Sequence, residues 1–285
     1  MLNQAWHFQR PVLAQSYIKT LFTGVMLSTT VQAQPGTGLS SFLLRDVAPA
    51  AQDQGYTVAY VDLSDAAVPV SVACIQGARL LLQGESLGRQ SWRFLRSLFR
   101  GNAAFWGAEW EPETALTLGD GYYTAHAQAH ALLFEQLLSE VVADGERILL
   151  IVDHAHEFAR DAVGMSMAQA LRNAITSNRN HIWPLYGSAN MQRWHSVFQD
   201  AQSPLYAEGA SVHALPTLGK PFVRQLCAHM DITSEELDLS DAMQCFLQLG
   251  CRPQLLQDAM HLWRADRSLA LEEHAHKILQ GICMP

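Results

Sequence analysis

Residues Ala33 to Ser41 read Ala-Gln-Pro-Gly-Thr-Gly-Leu-Ser-Ser, a near variant of the phosphate-binding pattern G-x-x-x-x-G-K-[ST]. In that pattern backbone N–H groups surround the phosphates, a lysine reaches the β/γ oxygens and a hydroxyl helps to hold Mg²⁺. Gly38 and Ser40 keep their places, Ala33 stands for the first glycine, and Leu39 occupies the position of the lysine. Such a loop constrains the fold because it needs a strand in front of it and a helix behind it. Val25 to Gln32, rich in β-branched residues, supplies the strand. Ser41 to Ala51, with Phe42, Leu43 and Val47 at helical spacing, supplies the helix. Gly55 then breaks the helix, and Tyr56 to Leu63 reads as a strand buried on both faces. Strand, loop, helix and strand in that order form the unit of a parallel α/β sheet.

A second signal lies about a hundred residues further on. Ile148-Leu149-Leu150-Ile151-Val152-Asp153 is a short apolar run that ends in an aspartate, the place from which a carboxylate reaches a nucleotide's Mg²⁺. The Asp153 strand is expected beside the strand that leads into Ala33. A third run, Ile182 to Tyr186, enters Gly187-Ser188-Ala189-Asn190, so that Ser188 or Asn190 could meet a phosphate at its tip. Pro184 is awkward there for a central strand. Asp62, at the end of the second strand, reads as an ordinary terminator. From Gly219 the periodicity turns helical. Lys220 to Met230 is amphipathic, Ser240 can cap a helix that ends at Gly250, and Pro253 opens another with Leu256, Met260 and Trp263 on one face. The expected division is an α/β domain over residues 1–218 and a helical lid over 219–285. Arg252, at the head of a lid helix, is placed to reach a bound nucleotide. The Gly- and Trp-containing stretch from Arg100 to Gly121 has the character of an insertion.

Composition excludes several classes. With 27 acidic against 19 basic residues and a net charge of −8, the chain presents no general field for nucleic acid or anionic lipid. Arg89, Arg93, Arg96 and Arg100 would share one helix face, which reads as solvated. The five cysteines lack a C-x-x-C pair, as a reduced cytoplasmic compartment tolerates. Leu21 to Ala33 has a trace of signal-peptide character but is broken by Thr23, Gly24, Ser28, Thr29 and Thr30. No run of ~20 apolar residues spans a bilayer. His126 and His130 stand four apart, and His154 with His156 and His274 with His276 alternate. None is followed by the carboxylate of a zinc-hydrolase helix, so they read as ordinary histidines. No nucleophile elbow or Cys/His pairing is legible, and no catalytic residue is assigned.

Taken together these residues resemble the AAA+/STAND-type ATPases of the archaeal-ATPase-like group, over Phe8 to Met260. The resemblance rests on Phe8-Gln9-Arg10-Pro11, Ala33 to Phe42, Gly55 to Leu63, Leu149 to Glu157, Gly187-Ser188, Ser203-Pro204-Leu205-Tyr206, Leu215 to Gly219 and Gly250-Cys251-Arg252-Pro253. It implies a three-layer P-loop domain with a C-terminal helical lid, and ATP or ADP with Mg²⁺ as ligand. Nucleotide contacts would fall on Gln34, Pro35, Gly36, Thr37, Gly38, Leu39, Ser40, Ser41, Asp153, Ser188 and Arg252, with Ser40 and Asp153 at the metal. The departures fall on the hydrolytic positions. Leu39 replaces the lysine, His154 replaces the water-orienting glutamate, and Ala207-Glu208 stand where relatives carry Gly and Arg. The pattern implies weak nucleotide binding with little or no hydrolysis in a cytoplasmic regulator whose partner is another protein and which can oligomerise. The alternative is a scaffold that keeps the fold without nucleotide and acts through the Arg89–Arg100 face or the aromatics Trp92, Phe99, Phe105, Trp106 and Trp110.

Overall fold

The structure, a computed structural model, describes residues 6–23, 28–82, 119–143, 145–206, 208 and 211–282. Val25, the Arg89–Arg100 face, the five aromatics at 92–110 and the insertion up to residue 118 lie outside them.

Five strands carry the larger unit: β1 (Thr29–Gln32), β2 (Thr57–Asp62), β3 (Ile148–Asp153), β4 (Ile182–Ser188) and β5 (Val212–Ala214). All pair in parallel, in the order β2-β3-β4-β1-β5. The Asp153 strand therefore does not neighbour the strand that leads into Ala33, contrary to expectation. β4 lies between them, paired to β3 on one side and to β1 on the other. Pro184 is accommodated in this central strand because it lies opposite Leu150, one residue ahead of the first pair with β1, Leu185 with Thr29.

β3 is buried along its whole length, as its unbroken apolar run requires. Ile148, Leu150 and Val152 join one core cluster with residues of α4 (Val70–Leu82), α5 (Gly119–Ala143), α6 (Ala162–Ser177) and α7 (Met191–Phe198). Leu149 and Ile151 are just as buried but lie outside that cluster. With a side-chain period of two, they belong to the opposite face of the sheet. Both faces are thus covered, and the fold is three-layered. On α1 (Pro11–Phe22), Ile18 and Leu21 are fully buried.

The helix after the loop runs as α2 (Leu39–Phe42), a π turn (Leu43–Val47) and α3 (Ala48–Gln52). It starts two residues earlier than periodicity suggests. Pro49 has no N–H for the carbonyl of Arg45, and the N–H of Ala48 bonds to Leu43, five residues back.

A second compact unit joins Leu215–Pro285 with the loop segment Gln34–Leu39 and the stretch ending at Phe8. Its helices are α8 (Lys220–His229), α9 (Leu239–Gln248), α10 (Pro253–Ala265) and α11 (Leu271–Ile282). Phe222, Phe246, Leu256 and Met260 form its core, with Trp6 and Phe8 packed on Phe222 at ring-centroid distances of 5.6 and 5.8 Å. The cap of α9 is Asp238, whose side chain accepts from the N–H of Ser240, rather than Ser240 itself. Gly250 follows with φ +68°, and Pro253 begins α10 as expected. Among the described residues no helix is long and apolar enough to cross a membrane.

Candidate functional site

Parallel sheets bind ligands outside the carboxyl ends of their strands. Here the chain leaves β1 at Gln32, turns through Pro35 and Gly36, and re-enters helix at Leu39. Gly36 and Gly38 have φ values of +81° and +89°. Residues with a Cβ avoid such angles, so the two glycines shape the loop. Thr37 closes the turn, its N–H and its Oγ1 both donating to the carbonyl of Gln34, at 3.2 and 2.7 Å. Leu39 is buried. A cationic side chain nevertheless accompanies the loop within its own unit: a Cβ on Gly36 would lie 3.4 Å from Cδ and 3.9 Å from Nε of Arg252. Arg10 has a different station. Its backbone N–H donates to Asp46, its Nε lies 3.8 Å from the same carboxylate, and its guanidinium covers the ring of Phe42 at 4.6 Å.

In the larger unit, Asp153 is fully buried at the end of β3. Ser40, at the start of the helix after the loop, acts on this carboxyl group and helps to lower its pKa. Tyr60 Oη donates to Oδ2 at 2.7 Å, and the N–H of His154 donates to Oδ1 at 2.9 Å. Burial raises the Asp153 pKa, and the neighbouring His154 and Ser40 only partly offset that rise. A hydroxyl and a strand-end carboxylate are the donor set that Mg²⁺ bound to a nucleotide requires, so the residues present fit that ion.

Asp62 ends β2, as expected of a terminator, and accepts from the N–H of Ser64 at 2.9 Å. It is the register partner of Asp153 on the adjacent strand, which sets two carboxylates side by side. His154, at φ +56°, turns its Nδ1 to 3.4 Å from Asp153 Oδ1 and 3.5 Å from Asp62 Oδ1. Burial works against a charged imidazole, but the carboxylate of Asp62 and then the charge of Asp153 hold His154 above its ordinary pKa. Neighbouring strands that both end in aspartate were the only signal in the sequence, and it has meaning only once β2 and β3 are known to pair.

Ser188 belongs to β4 itself, buried at its tip. Its carbonyl accepts from the N–H of Ala33 at 3.1 Å, and its Oγ lies 3.3 Å from His156 Nδ1. Gly187 is required by space, since a Cβ there would stand 2.7 Å from both Asp153 Oδ1 and Leu43 Cδ1. Asn190 is occupied as the cap of α7, accepting from the N–H of Arg193. His156 is buried and faces Glu157 at 3.4 Å; burial pushes its pKa down to about 4. Glu157, the next acidic residue after Asp153, is held by Arg160 and Arg193, each at 2.8 Å. Its carboxylate is thereby committed to these two guanidinium groups. Glu208 pairs with Arg172 at 3.5 Å, while Ala207 lies outside the described residues. His130 Nδ1 lies 3.1 Å from Ser71 Oγ, and among the described residues neither His126 nor His274 joins a metal-ligating cluster.

The five-stranded parallel sheet with flanking helices is a three-layer α/β fold like that of AAA+ P-loop ATPase-like structures. Solved structures agree. A Walker-type ATPase of Pyrococcus abyssi superposes with a TM-score of 0.57 at 12% identity, covering 95% of this chain and 72% of that one. The ORC2 protein of Aeropyrum pernix in its ADP form gives 0.53 at 14% identity, covering 94% of this chain and 66% of that one. The ORC1 protein of the same organism in complex with DNA gives 0.53 at 13% identity, covering 95% and 64%. The chain thus spans just under two thirds of the length of these two ORC proteins. No protein-family model and no curated protein matches the sequence.

Proposed function

We propose that the chain is a weak ATP/ADP-binding switch of the AAA+/STAND kind, with little or no hydrolysis. The observation that carries this reading is the buried Asp153 carboxyl at the end of β3, on which Ser40 acts, so that a Mg²⁺-holding pair is retained while Leu39 and His154 stand where the groups that drive turnover would be. Residues 34–41 would wrap the phosphates, Ser40 and Asp153 would hold Mg²⁺, Ser188 would meet the terminal phosphate, and Arg252 would be a further nucleotide contact. When bound, Mg²⁺ would neutralise phosphate charge. Phosphoryl transfer depends on positioning and charge neutralisation, so a loop without its lysine and a site without its glutamate favour binding over hydrolysis.

Residues 219–285 would act as the lid, and the partner in this reading is another protein. Ser188, His156, Glu157 and Arg193 form a chain of contacts from the tip of β4 to α7, a route by which an occupied phosphate site could displace a surface helix. The ORC neighbours support the nucleotide reading, one having been solved in its ADP form. Calorimetric titration with MgATP and MgADP tests the proposal. Binding in the micromolar range or weaker is expected, weakened by Asp153→Asn and by Arg252→Ala. Absence of heat with both nucleotides would favour a scaffold that has kept only the fold.

A further inference from the structure

The paired strand ends of β2 and β3 point to a ligand other than nucleotide. Asp62 and Asp153 are register partners in parallel strands, so their backbones lie ~4.8 Å apart. Like charges placed side by side in this way repel. Among the described residues no Lys or Arg is ion-paired to either carboxylate; their partner is the imidazole of His154. That imidazole does not close the gap with hydrogen bonds. Nδ1 is buried and makes none, at 3.4 and 3.5 Å from the two oxygens, whereas a charge-assisted N–H···O bond would be ~2.7–2.9 Å. Donors held ~2.0–2.1 Å from a tetrahedral zinc ion stand about 3.3–3.4 Å apart, close to both separations seen here. All three donor atoms lie within 4.8 Å of one another.

The ligand carboxylates are also held in place. Asp153 Oδ2 accepts from Tyr60 and Asp62 Oδ1 from the N–H of Ser64, at 2.7 and 2.9 Å, the outer hydrogen bonds that orient metal-binding carboxylates. We infer that Asp62, Asp153 and His154 form a divalent-metal site that takes an ion accepting nitrogen as well as oxygen, such as Zn²⁺, in the absence of nucleotide. Mg²⁺ prefers oxygen, and in the proposed nucleotide complex it would use Ser40 and Asp153 without the imidazole. The inference therefore does not rest on nucleotide binding. Asp153 belongs to both sites, so Zn²⁺ and MgATP compete.

The test is a Co²⁺ titration of the tag-free full chain after dialysis against EDTA, with no nucleotide present. Visible absorption of tetrahedral Co²⁺ should rise to one equivalent, be bleached by Zn²⁺ and be untouched by Mg²⁺. Asp62→Asn and His154→Asn should each weaken binding on the order of 100-fold, while His126→Ala leaves it unchanged. Asparagine is chosen at 154 because it tolerates the positive φ there. Circular dichroism verifies the fold of each variant, and the unmodified chain answers the first question without any variant. Absence of the band in the unmodified chain, or its persistence in a folded Asp62→Asn or His154→Asn variant, overturns the inference. A Co²⁺ band without nucleotide binding would instead keep this site and remove only the nucleotide reading.

Discussion

At the scale of residues, the proposed weak switch rests on Leu39 in the loop and on His154 after β3, whose chemistry is easily stated. In the proposed nucleotide complex, Leu39 would leave the β/γ oxygens without a lysine's charge, a loss of about 2–4 kcal/mol or some 30- to 1,000-fold in affinity. Leu39→Lys should recover part of that in a titration with MgATP without giving useful turnover. Adding His154→Glu should begin to restore turnover, because a fixed carboxylate orients water where an imidazole does not. A Leu39→Lys protein with unchanged affinity would mean that Arg252, beside Gly36, already does the lysine's work. His156 carries a pH signature. Its folded pKa of about 4 lies below the ordinary imidazole value, so between about pH 6.5 and 4 the unfolded chain binds the extra proton and stability falls as pH falls. The loss should reach roughly 2–3 kcal/mol in urea unfolding carried out with EDTA present, and His156→Gln should flatten it. Below about pH 4 the loss continues through Glu157, whose pKa lies under the usual carboxylate range: burial would raise it, but the bonded Arg160 and the charge of Arg193 win.

At the scale of elements, β4 is where the site is made tight. Gly187→Ala would drive a methyl group into Asp153 and Leu43, both at 2.7 Å, and such overpacking costs typically ~1–3 kcal/mol. The urea midpoint should drop with little change in slope, and MgATP binding should weaken with it. Other parts of the site were legible earlier. The loop, β2, β3 and the helices on either side of Gly250 follow from apolar runs, glycines and prolines that act locally. The position of β4 between β1 and β3 does not, because strand order depends on how crossovers pass over the sheet and no local residue records it. The pairing of Asp62 with Asp153 is hidden for the same reason: the two lie 91 positions apart in the chain, and only the β2–β3 register brings them level. The surroundings of His154 are equally hidden, because they come from a backbone angle of +56° and from two carboxylates, one of them on another strand.

For the molecule as a whole, the switch reading requires nucleotide to change the folding equilibrium. A ligand at 100 times its Kd adds ~2.7 kcal/mol of stability, which for a chain of this size is a rise in Tm of roughly 5–10 °C. MgATP should give that rise and EDTA should remove it, while a pure scaffold would melt at one temperature in both. Equilibrium dialysis of radiolabelled ATP against excess protein with Mg²⁺, the bound nucleotide being resolved by chromatography, tests the central claim most directly. The account predicts label concentrated on the protein side and recovered as ATP after hours at neutral pH. Label recovered as ADP at a rate typical of AAA+ ATPases, with His154→Ala leaving that rate intact, would contradict it.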